Sequence, residues 1–414
     1  ERRKTVFKKT LTLILIGVLL FLSGCKSKEE GLIVDENNKA SNEIVEEEEI
    51  DEIQKLIDGM TIDEKIGQLF IFGFDGTQVD ENVIKAIEEY HVGGFIFFKD
   101  NIVDAEQTVS LLNTLKDINA SNSLPLFLTV DEEGGIVTRL SDIYLALPSA
   151  RTIGDIDNGQ LSLEYGRLLG ERVSELGFNM NFAPVLDVNS NPNNPVIGKR
   201  AFGTEVDTVV KHGLKVMEGI NSTNVIAVAK HFPGHGDTST DSHIGLPVID
   251  KSMEEMENLE LVPFKRAIEK GLDTIMVAHI LFPQLDGKNP ATLSHKLITG
   301  LLREKLAFDG VVISDNMTMG AITENYTIEE AAYKFLKAGG DILLICHGYE
   351  NQQKALNKIK EEVEKGNITE KELDEKVYRI IKLKRKYALE DRPVEYYDVS
   401  NVNSHIEEFL DKIR

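Results

Sequence analysis

Cysteine is nearly missing from this chain. Its 414 residues hold two, Cys25 and Cys346, in very different settings. That excludes a disulfide framework as the source of stability. Positive charge is also scarce, with 46 Lys and Arg against 69 Asp and Glu and a formal net charge of −23. Nucleic-acid binding needs Lys and Arg gathered on one face, so a nucleic-acid partner is not expected. A neutral or cationic ligand fits this balance, although overall charge speaks more to solubility than to chemistry. Long apolar runs are few as well. The longest, residues 11–22, is too short for a comfortable transmembrane helix. What is present is ample apolar material, 42% of residues, enough to bury a large core.

The N-terminus has the proportions of a signal peptide. Arg2, Arg3, Lys4, Lys8 and Lys9 form a basic region, residues 11–22 an apolar one, and Leu22-Ser23-Gly24-Cys25 follows. This ending resembles the bacterial lipobox. The resemblance implies cleavage after residue 24, lipidation of Cys25 and a membrane anchor on the extracytoplasmic face. An ordinary signal peptide or an uncleaved anchor with an incidental Cys is the plainer alternative. Residues 25–50 are polar and end near the acidic run 46–49, as a solvated tether would.

From residue 51 the pattern changes. Eight short apolar runs, 69–74, 94–98, 126–130, 179–183, 225–229, 274–278, 311–314 and 341–345, read as buried strands. Helical periodicity falls between and after them at 82–90, 105–115, 161–176, 206–220, 253–268, 295–306, 328–338 and 370–386. The alternation predicts a (β/α)₈ barrel of the TIM type as a single catalytic domain over 51–390, with 391–414 as a C-terminal tail. An open doubly wound sheet is the alternative that periodicity alone does not separate from it. Strand ends support the barrel. Asp131, Asp187, Lys230-His231, His279, Asp315 and His347 all follow or end an apolar run, where barrel active sites are built.

The densest of these places is Lys230-His231-Phe232-Pro233-Gly234-His235-Gly236-Asp237-Thr238-Ser239-Thr240-Asp241-Ser242-His243. Pro233, Gly234 and Gly236 rule out a helix there, so polar titratable groups crowd onto a loop after a strand. His243 can act as acid and then base near neutrality, with Asp241 to orient its ring. Asp315, in Ile313-Ser314-Asp315-Asn316, can serve as a shielded nucleophilic carboxylate. Taken singly, Asp315 reads rather as a structural cap of the following helix, and His243 rather as a surface histidine on a polar loop. His231, His235, Asp237, Asp241 and His243 also contain the donor types of a zinc site. However, the helical His-Glu-x-x-His arrangement is absent, and no metal or other cofactor is expected. His231 and His235 are more naturally one ligand contact and one loop-structuring residue. Asp131-Glu132-Glu133-Gly134-Gly135 with Arg139, and Arg200 in Arg200-Ala201-Phe202-Gly203, supply carboxylate and guanidinium groups suited to hydroxyls. Each alone could equally be a rim ion pair.

Together these segments, with Met60-Thr61-Ile62-Asp63-Glu64-Lys65-Ile66-Gly67-Gln68, resemble glycoside hydrolase family three, and within it the β-N-acetylglucosaminidase branch that recycles peptidoglycan. The likeness runs from about residue 60 to 386. It implies a retaining exo-hydrolase of terminal β-linked N-acetylglucosamine. Asp315 would be its nucleophile, His243 with Asp241 its acid/base pair, and Asp131, Arg139, Arg200, Lys230 and His231 its sugar contacts. The histidine departs from the two-carboxylate scheme. β-Glucosidases of the family carry the acid on a second domain, for which this chain has no room. One feature departs from the branch, whose single-domain members are familiar as cytoplasmic enzymes: the lipobox implies wall fragments outside the membrane as partners. The other readings are a cell-wall lipoprotein that binds sugar without turnover, a metal-dependent hydrolase using the His-rich loop, and transfer to phosphate instead of water.

Overall fold

The computed structural model describes residues 51–242 and 245–414. The signal segment, Cys25, the tether and His243 lie outside the described residues. Eight strands form one parallel sheet: β1 (Phe70–Phe72), β2 (Gly94–Phe97), β3 (Phe127–Val130), β4 (Met180–Asn181), β5 (Ile226–Phe232), β6 (Thr274–Val277), β7 (Val311–Ser314) and β8 (Leu343–Ile345). Their order is β7-β6-β5-β4-β3-β2-β1-β8, every pairing parallel. A parallel bridge between Ile313 and Ile342 brings the two ends together, with Ser314 N–H donating to Ile342 O at 3.0 Å. The result is a nearly closed (β/α)₈ barrel of the TIM type. Every strand residue is buried, which is why the strands read as continuous apolar runs rather than as an alternation.

Several differences from the sequence expectation have local causes. The helix expected over 253–268 is two, Met253–Asn258 and Leu261–Glu269. Pro263 lacks an N–H, and its ring would collide with the carbonyl of Leu259, which sits between the two helices at φ −132°. Lys296–Lys305 forms a π-helix. Helix Tyr349–Glu364 went unread because only a thin stripe including Ala355, Leu356 and Ile359 is buried on a polar rod. The 391–414 segment packs back on the barrel: helix Val399–Ile413 buries Val402, Ile406 and Phe409, and Phe409 meets Tyr165 with ring centroids 6.1 Å apart.

The floor of the barrel is closed by helix Glu370–Lys386, which opens with a capping box formed by Thr369 and Glu372. The Lys384 ammonium donates to Pro125 O (2.6 Å), Gln68 Oε1 (2.7 Å) and Gly93 O (3.3 Å), just before β3 and β2. It lies 4.5 Å from the Phe127 ring centroid. Lys386 pairs with Asp273 before β6 (2.6 Å), and Arg379 with Asp341 before β8 (2.8 Å). The strands' carboxyl ends are thereby left as the end where the functional groups gather.

Candidate active site

A cavity of about 220 Å³ sits among the carboxyl ends of the strands. Asp131, Arg139, Arg200, Lys230, His231 and Asp315 all line it. Lys230 and His231 lie near the end of β5, whereas Asp131, Arg139, Arg200 and Asp315 come from the segments that follow β3, β4 and β7, so the barrel itself converges them.

One wall carries a continuous charge network. Lys230 Nζ lies 2.7 Å from Asp131 Oδ1 and 2.7 Å from Glu133 Oε1. Arg200 grips Glu133 from the other side, Nε donating to Oε2 at 2.8 Å and Nη2 to Oε1 at 2.7 Å. Arg139 Nη2 stands 3.5 Å from Asp131 Oδ2, and its guanidinium lies 5.7 Å from the Phe98 ring centroid. Burial alone would raise the Glu133 carboxyl, but Arg200 and Lys230 outweigh it and hold it far below the usual carboxylate range. The same network keeps Lys230 charged: burial opposes the charge, and Asp131 and Glu133 restore it.

His231 is fixed from below by Asp187, which accepts from Nδ1–H at 2.7 Å. Asp187 also accepts from the backbone N–H of His235 at 2.6 Å. His235 is buried and structures the loop, its Nδ1 2.9 Å from Thr238 Oγ1 and its Nε2 3.2 Å from Ser242 Oγ. Burial, with the charge of His231 beside it, pushes its pKa down to about 4. Asp237 pairs with Lys251 at 3.1 Å, and Asn194 Nδ2 donates to His235 O at 2.8 Å. The stem of the loop is thus tied down on several sides. Asp241 is partly exposed on this loop, its carbonyl accepting from Gly245 N–H at 3.1 Å, while its neighbour Ser242 lines the cavity.

Asp315 follows β7, and its Oδ1 accepts from Asn316 N–H at 2.8 Å. Burial would raise its pKa, yet His279 and His231 pull it below the usual carboxylate range. His279 is itself held by Thr292 Oγ1 at 2.7 Å and by Asn316 O at 2.9 Å. An ionised carboxylate beside a cation-rich wall is an arrangement able to attack an electrophilic carbon and to hold hydroxyls in place.

The family model described as glycosyl hydrolase family 3, N-terminal domain, matches residues 61–383. The chain belongs to glycosyl hydrolase family 3. A β-hexosaminidase A from Pseudoalteromonas piscicida is 33% identical over 334 residues, 75% of this chain and 56% of that protein. The chain therefore spans little more than half the length of that relative. A β-hexosaminidase from Nitrosomonas eutropha is 35% identical over 290 residues, 69% of this chain and 82% of that protein. The solved structure of a family 3 β-N-acetylglucosaminidase from a Paenibacillus species is similar with a TM-score of 0.80 at 39% identity, covering 85% of this chain and 69% of that one.

For a family 3 chain, two groups that build this site went unassigned in the sequence. Glu133 lines the cavity with Asp131, because alternation from Asp131 turns both carboxylates to one side. Asp187 was noted only as a strand-end residue. Its signal is a lone carboxylate in the apolar stretch 182–188, where a charge must find partners.

Proposed function

We propose that this chain is a retaining exo-β-N-acetylglucosaminidase that removes terminal β-linked N-acetylglucosamine from peptidoglycan-derived glycans. The observation that carries this reading is Asp315: a carboxylate kept ionised by His279 and His231, on the same cavity as the Lys230–Asp131–Glu133–Arg200 network. The β-hexosaminidase names of the relatives and the N-acetylglucosaminidase structure support the sugar.

In the first step Asp315 bonds to the anomeric carbon as the bond to the aglycone oxygen breaks. His243, oriented by Asp241, gives its proton to that oxygen. In the second step His243 takes a proton from water, which attacks the anomeric carbon and frees Asp315. Asp131, Arg139, Arg200, Lys230 and His231 hold the sugar's hydroxyls, and because they are already fixed by one another they need little rearrangement on binding. Lipidation of Cys25 anchors the enzyme at the extracytoplasmic face, where wall fragments are its substrates. A Cys25→Ala protein found in the soluble fraction supports the anchor, and one that stays with the membrane removes it.

The test is release of 4-nitrophenol from its β-N-acetylglucosaminide and its β-glucoside, with and without EDTA. Chelator-resistant turnover of the first substrate, reduced on the order of 10³-fold or more in Asp315→Ala with unchanged thermal unfolding, supports the assignment. Full activity in Asp315→Ala sinks the nucleophile. Tight sugar binding without turnover favours a binding lipoprotein, and chelator-sensitive turnover favours the His-rich loop as a metal site. A faster reaction in phosphate than in another buffer of equal ionic strength favours phosphate as acceptor.

A further inference from the structure

Glu132 stands between two cavity-facing carboxylates and faces the other way. Its side chain is wholly buried, against Arg172 on helix Gly159–Ser174, which is only 1% exposed. Arg172 Nη1 lies 3.2 Å from Glu132 Oε1. The backbone of Glu132 is locked in turn by Asn181, whose Oδ1 accepts from Glu132 N–H at 3.0 Å and whose Nδ2 donates to Glu132 O at 2.9 Å.

The rest of the Glu132 carboxylate is spent on one short segment. Thr138 Oγ1 lies 2.7 Å from Oε1 and 2.8 Å from Oε2. Arg139 N–H donates to Oε2 at 3.0 Å and Leu140 N–H at 3.3 Å. Arg172 reinforces the same segment, Nη2 reaching Thr138 Oγ1 at 3.4 Å and Leu140 O at 3.5 Å. The segment is the return arm of the turn that passes through Gly134 and Gly135, both at positive φ. A turn containing two such glycines has little stiffness of its own. Of residues 138–140 only Arg139 lines the cavity, next to Val137 at the start of the arm.

We infer that the buried Glu132–Arg172 pair is a positioning device for Arg139: it fixes the backbone from which the guanidinium reaches substrate, without touching substrate itself. This rests on the reading of Arg139 as a sugar contact. A merely structural pair would lower stability and leave any activity loss independent of Arg139, so coupling between the two is the discriminating quantity.

The test measures the dissociation constant for N-acetylglucosamine by calorimetry, and kcat/KM on 4-nitrophenyl β-N-acetylglucosaminide. The variant is Glu132→Gln with Arg172→Met, which removes both buried charges together and avoids stranding either one. It is made with Arg139 present and in an Arg139→Ala background. The expected result is a loss on the order of 10-fold with Arg139 present and of less than about 2-fold without it. Equal losses in the two backgrounds overturn the proposal and leave the Arg139 assignment standing. An Arg139→Ala protein that binds and turns over normally overturns the assignment, and the proposal with it. Should the double variant fail to fold, Thr138→Val severs one arm of the same device while keeping the ion pair. Its expected loss is about 3-fold, again confined to the Arg139 background.

Discussion

Glu133 and Arg200 meet in a two-pronged contact, Nε to Oε2 at 2.8 Å and Nη2 to Oε1 at 2.7 Å, and the same Oε1 also receives Lys230 Nζ at 2.7 Å. Neither cation has open access to water; Glu133 is the close counter-charge of Arg200 and shares Lys230 with Asp131.

Glu133→Ala strips Arg200 of its close counter-charge and leaves Lys230 with Asp131 alone. The expected cost is about 3–5 kcal/mol, the scale for breaking a buried pair by removing one partner. Urea unfolding of the variant measures it. A loss below about 1 kcal/mol would show that the pair behaves like an exposed one.

His235 has a pKa of about 4 in the folded chain, below its ordinary value because of burial. A histidine whose folded pKa is lowered adds stability that is complete above the unfolded value, near 6.5. That contribution is lost as pH falls from there towards 4, because the unfolded chain takes the proton first. The contribution is roughly 3 kcal/mol. The unfolding midpoint should therefore fall between about pH 6.5 and 4. That slope should shrink in His235→Asn, and the His235 ring should show no NMR titration above about pH 5.

Asp341 is buried before β8, where Arg303 Nη2 reaches it at 2.5 Å and Arg379 Nη2 at 2.8 Å. Burial would raise its pKa, but Arg303 and Arg379 lower it below the usual range. A carboxyl lowered on folding stabilises above its unfolded value and loses that contribution as pH falls through the folded one. Acid unfolding monitored from about pH 5 to 2 should steepen below about 4, the ordinary carboxyl value. Asp341→Asn should flatten that limb and also lower stability at pH 7, since two guanidinium groups lose their counter-charge. An unchanged acid limb would remove Asp341 from the account.

Gly236 packs against the neighbouring strand-end segment so closely that a Cβ would fall 1.7 Å from Val188 O. Backbone cannot yield as a side chain tip can, so Gly236→Ala must displace the stem of the loop that carries Asp241. The expected cost is about 1–3 kcal/mol of stability. A fall in kcat larger than the change in KM is expected with it. Wild-type kcat would mean that the stem does not set the position of the loop's far end.

The fold was legible because a parallel barrel buries both faces of its strands. Phe127 to Val130 and Val311 to Ser314 are wholly buried runs of four, the length and composition of a buried strand. The polar residues ending those runs stood out against them for the same reason. Less legible was anything decided by direction rather than composition. Glu132 and Glu133 are adjacent and chemically alike, yet one faces the helix layer and the other the cavity. Only the alternation of the strand, carried three residues past its end at Val130, separates them. Asp187 follows a strand of two residues, Met180–Asn181, with no motif around it, so its hold on His231 came from tertiary packing alone. The helix break before Pro263 was readable from the proline and its fourth predecessor, Leu259.

Lys384 and its helix seal the barrel at the strands' amino ends. The cavity lined by Asp315 thus lies at the opposite end of the barrel from this helix. On the proposed function, a glycan end enters and the released monosaccharide leaves at the carboxyl-end face, so the two meet at the same place.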